Sequence, residues 1–217
     1  IKASARVTFE LDSLAQPLQL DFREDRQLLL GLSSNGRPID INFRHEHIIV
    51  PANALSLGLN TLEIEFLAGS SSLNRNPDYL YTLFVPDRAR TAFPLFDQPD
   101  LKATYDLTLD IPAAWTALAN APLESVIAGA EKSRYQFATS DLISSYLFSF
   151  VAGQFETVER TVAGRKMTLV HRETDPARIE RNVDAIFEQH GRALDWLEHY
   201  TGIDYPFKKF GFALIPS

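Results

Sequence analysis

Apolar and polar residues alternate from the first positions of the chain. Ala3, Ala5, Val7, Phe9 and Leu11 fall on one side of residues 2–11, and Lys2, Ser4, Arg6, Thr8 and Glu10 on the other. A period of two sends successive side chains to opposite faces of an extended chain, so this stretch predicts a half-buried strand. Leu18-Gln19-Leu20-Asp21-Phe22 repeats the pattern, and the charged turn Arg23-Glu24-Asp25-Arg26 leads into the apolar run Leu28-Leu29-Leu30. Ser34-Asn35-Gly36-Arg37-Pro38 reads as a turn. Ile39, Ile41 and Phe43 alternate again, Ile48-Ile49-Val50 stops at Pro51, and Leu62, Ile64 and Phe66 mark another strand. Tyr79 to Phe84 is extended and aromatic. Further along, Ala103, Tyr105, Leu107, Leu109 and Ile111 alternate, and shorter runs follow at 115–120, 135–137, 145–151 and 167–170. Short strands punctuated by turns, with almost no helical period, predict a mainly β, antiparallel sandwich of two or three sheets.

The period changes near residue 174. Thr174 or Asp175 can cap a helix, Pro176 suits its first position, and Glu180 is acidic in the opening turns. Ile179, Val183, Ile186, Phe187, Leu194 and Leu197 recur at helical spacing to about His199, and Gly202 is placed for the stop. Phe210 to Ile215 then reads as a buried strand. The expected organisation is a β domain over residues 1–172 and the start of a second, α/β domain over 173–217.

Between the two halves of the β region lies a corner at 84–102. Pro86, Pro94 and Pro99 rule out helix interior and regular central strand, because proline fixes its own φ and pushes the preceding residue towards extended conformations. Phe93, Leu95 and Phe96 still gain from burial, about 1.5–3 kcal/mol each when fully covered. Arg90 and Lys102 lie near Asp97 and Asp100 in sequence, which predicts a packed corner fixed by structural ion pairs rather than an acid–base pair. A carboxylate beside a fixed guanidinium loses basicity, which is wrong for a general acid.

Composition narrows the function classes. The chain has 217 residues, a net charge of −7 and no cysteine. The acidic balance and the lack of any basic run exclude a nucleic-acid surface. Without cysteine there is no disulfide scaffold, thiolate metal site or cysteine nucleophile. No run approaches the roughly 18 apolar residues of a membrane span, and a soluble, cytoplasmic setting is favoured over a periplasmic or secreted one. The chain starts at Ile1 and ends at Ser217 directly after an apolar run, so it is expected to be part of a longer polypeptide. His45 and His47 would share a strand face, but no third ligand accompanies them, so they read as exposed edge histidines. His190 reads as a packing histidine, and His171 with Arg172 and Glu173 as an interdomain polar contact. No His-Glu-x-x-His occurs.

The corner also carries a resemblance. Arg90-Thr91-Ala92-Phe93-Pro94-Leu95-Phe96-Asp97-Gln98-Pro99-Asp100-Leu101-Lys102-Ala103, with Tyr105, resembles the signature Arg-Arg-x-Phe-Pro-Cys-Phe-Asp-Glu-Pro-x-x-Lys-Ala of the aminopeptidase N family. These are zinc gluzincin aminopeptidases, among them the leukotriene hydrolase. Residues 107–112 and 116–122, Ser144-Ser145-Tyr146-Leu147 with Phe150 to Phe155, and Tyr200 to Ile215 resemble the family's next blocks in order. The resemblance implies a saddle-like β N-terminal domain that closes one end of the substrate pocket, followed by the first helix and strand of a thermolysin-like catalytic domain. It implies a peptide substrate and zinc for the parent enzyme, with the zinc site in the catalytic domain and no metal bound by these residues. The segment's partner would be its own catalytic domain. Arg90, Phe93, Pro94, Asp97, Pro99 and Lys102 would be structural, and the segment alone inactive.

Departures from the pattern are specific. Thr91 stands for an Arg, Leu95 for a Cys and Gln98 for a Glu. The resemblance also places Val85 where the family offers a polar side chain to the substrate's α-amine, with Leu83 at the accessory position. Leu83, Phe84 and Val85 are therefore expected to line an apolar pocket wall, with Asp87 or Asp78 as substitute anchors. The competing reading is a non-catalytic relative used as a protein-interaction scaffold.

Overall fold

The computed structural model describes residues 1–215. They form many short strands, mostly antiparallel, and one long helix, as the alternation and the late change of period predict. The chain gathers into two compact units, each built from several separate stretches. The first takes residues 1–75, 82–103 and 143–148, the second 76–81, 104–142 and 149–217.

The first unit is a sandwich. Strand Lys2–Leu11 pairs antiparallel along its whole length with Gly58–Leu67, which also pairs with Leu29–Ser34. A second sheet sets His47–Val50 between Leu18–Asp21 and Asn42–Arg44. Leu20, Ile48 and Val50 from one sheet meet Leu32, Leu62, Ile64 and Phe66 from the other in a single core. Strand Lys2–Leu11 alternates between exposed and half-buried side chains, as its sequence dictates. Between Leu29–Ser34 and its short antiparallel partner Arg37–Pro38, Asn35 and Gly36 both adopt positive φ, which the Asn-Gly turn tolerates.

The second unit holds three sheets. Lys132–Phe137 lies between Thr108–Pro112 and Leu123–Ile127, and Phe150–Gly153 lies between Thr116–Ala119 and Tyr79–Thr82. Ile111, Phe137, Ala117 and Ala152 bring these two sheets into one cluster. The third sheet is a hairpin, Glu156–Val162 with Arg165–His171, extended by the parallel strand Phe210–Ala213. The helix Pro176–Thr201 supplies the connection that a parallel pair requires. Asp175 caps it by accepting from the Ala177 N–H at 3.0 Å, and Gly202 ends it in the left-handed region at φ 67°. Val183, Phe187 and Leu194 seat its inner face on Met167 and Leu169 of the hairpin. Gly191 allows close approach, since a Cβ there would meet the Val162 side chain at 2.4 Å.

Candidate functional site

The corner belongs wholly to the first unit. Exposure alternates along Leu83, Phe84 and Val85: the outer two are about half exposed, whereas Phe84 is 2% exposed. Phe84 stacks on Phe148 and meets Phe93 edge-on at 5.7 Å, and Phe93 meets Phe148 edge-on at 5.8 Å. Of the three residues expected to line a wall, Phe84 is therefore committed to the core, and only Leu83 and Val85 present side chains to the surface. A short 3-10 turn, Ala89–Thr91, follows the cis peptide between Val85 and Pro86. Chain at Asp21 and Leu95 then pairs backbone to backbone through bonds of 2.8 and 3.1 Å.

Two carboxylates, Asp21 and Asp97, are buried here, and Asp97 does not take the ion pair that its neighbours in sequence suggest. Asp97 accepts from the Arg90 backbone N–H at 3.1 Å and from the Ser145 hydroxyl at 2.6 Å. Its own N–H donates to Asp21 Oδ2 at 2.9 Å. Asp21, 4% exposed, also accepts from Gln98 Nε2 at 3.2 Å and lies 3.1 Å from His47 Nε2. The Arg90 guanidinium instead reaches out to Asp87 at 2.8 Å. Lys102 is exposed and, among the described residues, has no carboxylate in ion-pairing distance. The expected Arg90 and Lys102 pairing with Asp97 is thus replaced by neutral donors. Backbone N–H and hydroxyl groups can reach an enclosed carboxylate without a second charge having to be stripped of water.

The same network accounts for one departure from the resembled signature. Gln98 donates its side-chain amide to Asp21, which a glutamate could not do without setting two carboxylates together. Thr91 is buried, and its hydroxyl bonds Ser72 Oγ and the Arg88 carbonyl, each at 2.8 Å. Leu95 is buried as well.

Four of the five histidines fall into four different settings. His47 is half-buried, with Nδ1 against the His45 carbonyl and Nε2 against Asp21, so it is a network member and not the free edge residue expected. His45 sits in the left-handed region at φ 48°, in the turn and off the strand face. His190 stacks on Phe212 at 4.2 Å and bonds the Ile186 carbonyl, as a packing histidine should. His171 is buried at the end of its strand. Its neighbour Arg172 pairs with Asp78 at 3.0 Å and lies over the Tyr79 ring. Asp78, one of the two suggested anchors, is therefore already engaged. Among the described residues no group of three or more histidine or acidic side chains is placed to hold a metal ion.

The second unit handles charge differently. Arg165 Nη2 donates to both Glu198 oxygens, and Glu198 also accepts from the Tyr205 N–H at 2.6 Å. The Arg165 guanidinium, then the Tyr205 N–H, hold the Glu198 carboxyl below its usual range. Lys209 runs inward, its Nζ donating to the Ala119 carbonyl, and burial pushes its pKa down to about 8. Nothing in the local pattern singled out Lys209, the second of two adjacent lysines before an apolar strand. Asp21 stands as an acid between Leu20 and Phe22, but the partner residues 94–98 are far away in sequence.

Residues 43–147 match the model of the Peptidase M1 N-terminal domain. Aminopeptidase N of Streptomyces lividans is 33% identical over 142 residues, 64% of this chain and 16% of that protein. Puromycin-sensitive aminopeptidase of Caenorhabditis elegans is 34% identical over 139 residues, 63% of this chain and 14% of that protein. Aminopeptidase M1 of Arabidopsis thaliana is 28% identical over 215 residues, 94% of this chain and 22% of that protein. The chain belongs to the M1 peptidase family, as its N-terminal portion. It spans less than a quarter of the length of these three relatives. The matched M1 segment contains the whole corner and Ser145, so the Asp21–Asp97 network ties the M1 region to the preceding strand Leu18–Asp21. No helix among the described residues of this M1 chain is long and apolar enough to cross a membrane.

Proposed function

We propose that this chain is the N-terminal portion of a zinc aminopeptidase that releases N-terminal residues from peptides. Residues 1 to about 172 serve as its β domain, and 173–217 open the catalytic domain, which is the chain's own partner. The zinc site lies in that catalytic domain. The observation that carries the reading is the family match across the corner, joined to relatives that are named aminopeptidases. The β domain closes one end of the peptide pocket, with Leu83 and Val85 as its apolar wall; both side chains are solvent-facing and uncommitted to the core. Neither can accept a hydrogen bond from an ammonium group. Asp87, exposed and paired to Arg90, is the nearest carboxylate in the sequence, and its pairing leaves it a weak anchor.

The test is the full-length parent beside residues 1–217. The parent should bind one zinc per chain and hydrolyse aminoacyl anilides; the segment should do neither. Stoichiometric zinc on the segment after dialysis, or a zinc-free, inactive parent, would overturn the proposal. In the active parent, Asp87→Ala with unchanged kinetics removes Asp87 as an anchor for the α-amine.

A further inference from the structure

Within the second unit, the hairpin of Glu156–Val162 with Arg165–His171 turns one face to the helix Pro176–Thr201, and the pleat decides which residues lie on it. Cross-strand pairs on that face run Arg160 with Met167, Val158 with Leu169 and, last, Glu156 with His171. Met167, Leu169 and Val158 belong to the cluster that seats the helix. The row thus ends on an acid and an imidazole facing the helix's first turns, where its pattern asks for two more apolar residues. Hairpin and helix part there into a groove of about 720 Å³, whose walls include Glu156, Val158, His171, Ile179, Glu180 and Val183.

Three polar groups in this groove lack partners among the described residues. His171 is 4% exposed, and its Nδ1 is enclosed with no hydrogen bond; enclosed polar atoms are nearly always paired. Glu156 and Glu180 form neither an ion pair nor a hydrogen bond, whereas the other charged groups of the wall are engaged. Arg160 meets Asp184, and Glu173 accepts from the Thr174 and Asp175 N–H groups and meets Arg178. Nor does the helix start invite an anion. Asp175 takes the Ala177, Arg178 and Ile179 N–H groups through its side chain and carbonyl, and Pro176 has none to offer. The unpaired charge is therefore negative and stands beside apolar walls.

We infer that this groove binds an alkylammonium ion, a small primary amine on an aliphatic stem. Glu156 and Glu180 hold the charged head by charge-assisted hydrogen bonds, and the stem lies along Val158, Ile179 and Val183. A turn of the His171 ring brings its unpaired nitrogen to the same head. The inference stands on the groove alone and needs neither zinc nor activity in the parent.

Methyl NMR of the full-length parent, titrated with n-butylammonium chloride against a sodium chloride blank, reads occupancy at Val158, Ile179 and Val183 themselves. These reporters are local, so an amine held elsewhere, as by a site for a peptide's α-amine, does not move them. Their resonances and the His171 Cε1–H resonance should follow one saturable curve. Glu156→Gln and Glu180→Gln should each raise the apparent Kd about tenfold. Both glutamates are exposed, so neither substitution threatens the fold, and thermal melts check this. Resonances that stay still overturn the inference. So does the same curve with n-butanol, because the groove then takes any aliphatic stem, and so does an unchanged Kd in both glutamine variants. A His171 resonance that stays put while the methyls move overturns it as well, because the imidazole then takes no part.

Discussion

The corner at 84–102 and the helix with its hairpin at 156–213 both place charge against apolar surroundings, and they do so by opposite means. In the corner, Asp21 and Asp97 are enclosed and are served largely by backbone N–H groups, a serine hydroxyl and a glutamine amide, with only the half-buried His47 at the edge. Around the helix, carboxylates stay near solvent and meet guanidinium groups, as Arg165 meets Glu198 and Arg160 meets Asp184. Enclosed carboxylates on neutral donors depend on geometry that salt hardly screens; ion pairs at the surface are worth little and respond to salt. The corner's polar groups therefore specify a conformation, whereas the helix is held by its apolar face and its charges merely accompany it.

That contrast can be broken at its strongest point first. Phe187 is 1% exposed and packs on Phe212 at 5.4 Å, so Phe187→Ala should cost about 3–5 kcal/mol in urea unfolding. A loss no larger than that from Arg165→Ala would mean that the ion pairs, not the apolar face, hold the helix. Asp97→Ala comes next, at about 2–4 kcal/mol, because it strands the Arg90 N–H and the Ser145 hydroxyl in a dry setting. This loss should be the same in low and high salt; a strong salt dependence would show that an ion pair dominates the corner after all.

Lys209 gives the pH test. Its pKa of about 8 in the folded chain lies below the ordinary lysine value of 10.5, so the unfolded chain binds more protons between those two values. Stability should therefore rise as pH climbs from about 8 to 10.5, by an amount on the order of 3 kcal/mol, with the handicap fully present below pH 8. Lys209→Met should flatten this rise in thermal melts, and an unchanged slope would show that Lys209 is solvated. The smallest effect expected is at the cap: Asp175→Ala should cost about 1 kcal/mol, read as faster hydrogen exchange over the first helical turn. Exchange unaltered there would mean that Glu173, which accepts from the Thr174 and Asp175 N–H groups, already fixes the helix start.

The two regions also differ in how far they could be read from sequence. The helix was legible from cap to stop, because Asp175, Pro176 and Gly202 act locally and the apolar spacing does the rest. So was strand Lys2–Leu11, whose alternation survives as alternating burial. Strand Leu123–Ile127 was not, since every residue in it is exposed and no period announces it. Nor was Glu156–Val162, a largely exposed hairpin arm. The parallel partnership of Phe210–Ala213 with Arg165–His171 was hidden because an apolar run gives no direction. In the corner, the prolines and phenylalanines announced a packed turn, but the partners of Asp97 sit at Asp21 and Ser145, and no spacing rule links those three. Nearness in sequence suggested Arg90 and Lys102 instead; the folded chain satisfies Asp97 with Arg90's backbone and turns the guanidinium outward.

The chain's passage through its two compact units bears on how the protein can be handled. It leaves the first unit after residue 75, returns at 82, leaves after 103, returns at 143 and leaves for good after 148. No single cut yields either unit as one continuous fragment. A deletion series from either terminus would discard part of one unit while leaving the other short of a strand or a turn, so soluble truncations are to be sought at neither 75 nor 103. Ser145 shows the point in miniature: a fragment ending before it would keep every residue of the 84–102 signature and still lose the hydroxyl on which Asp97 depends.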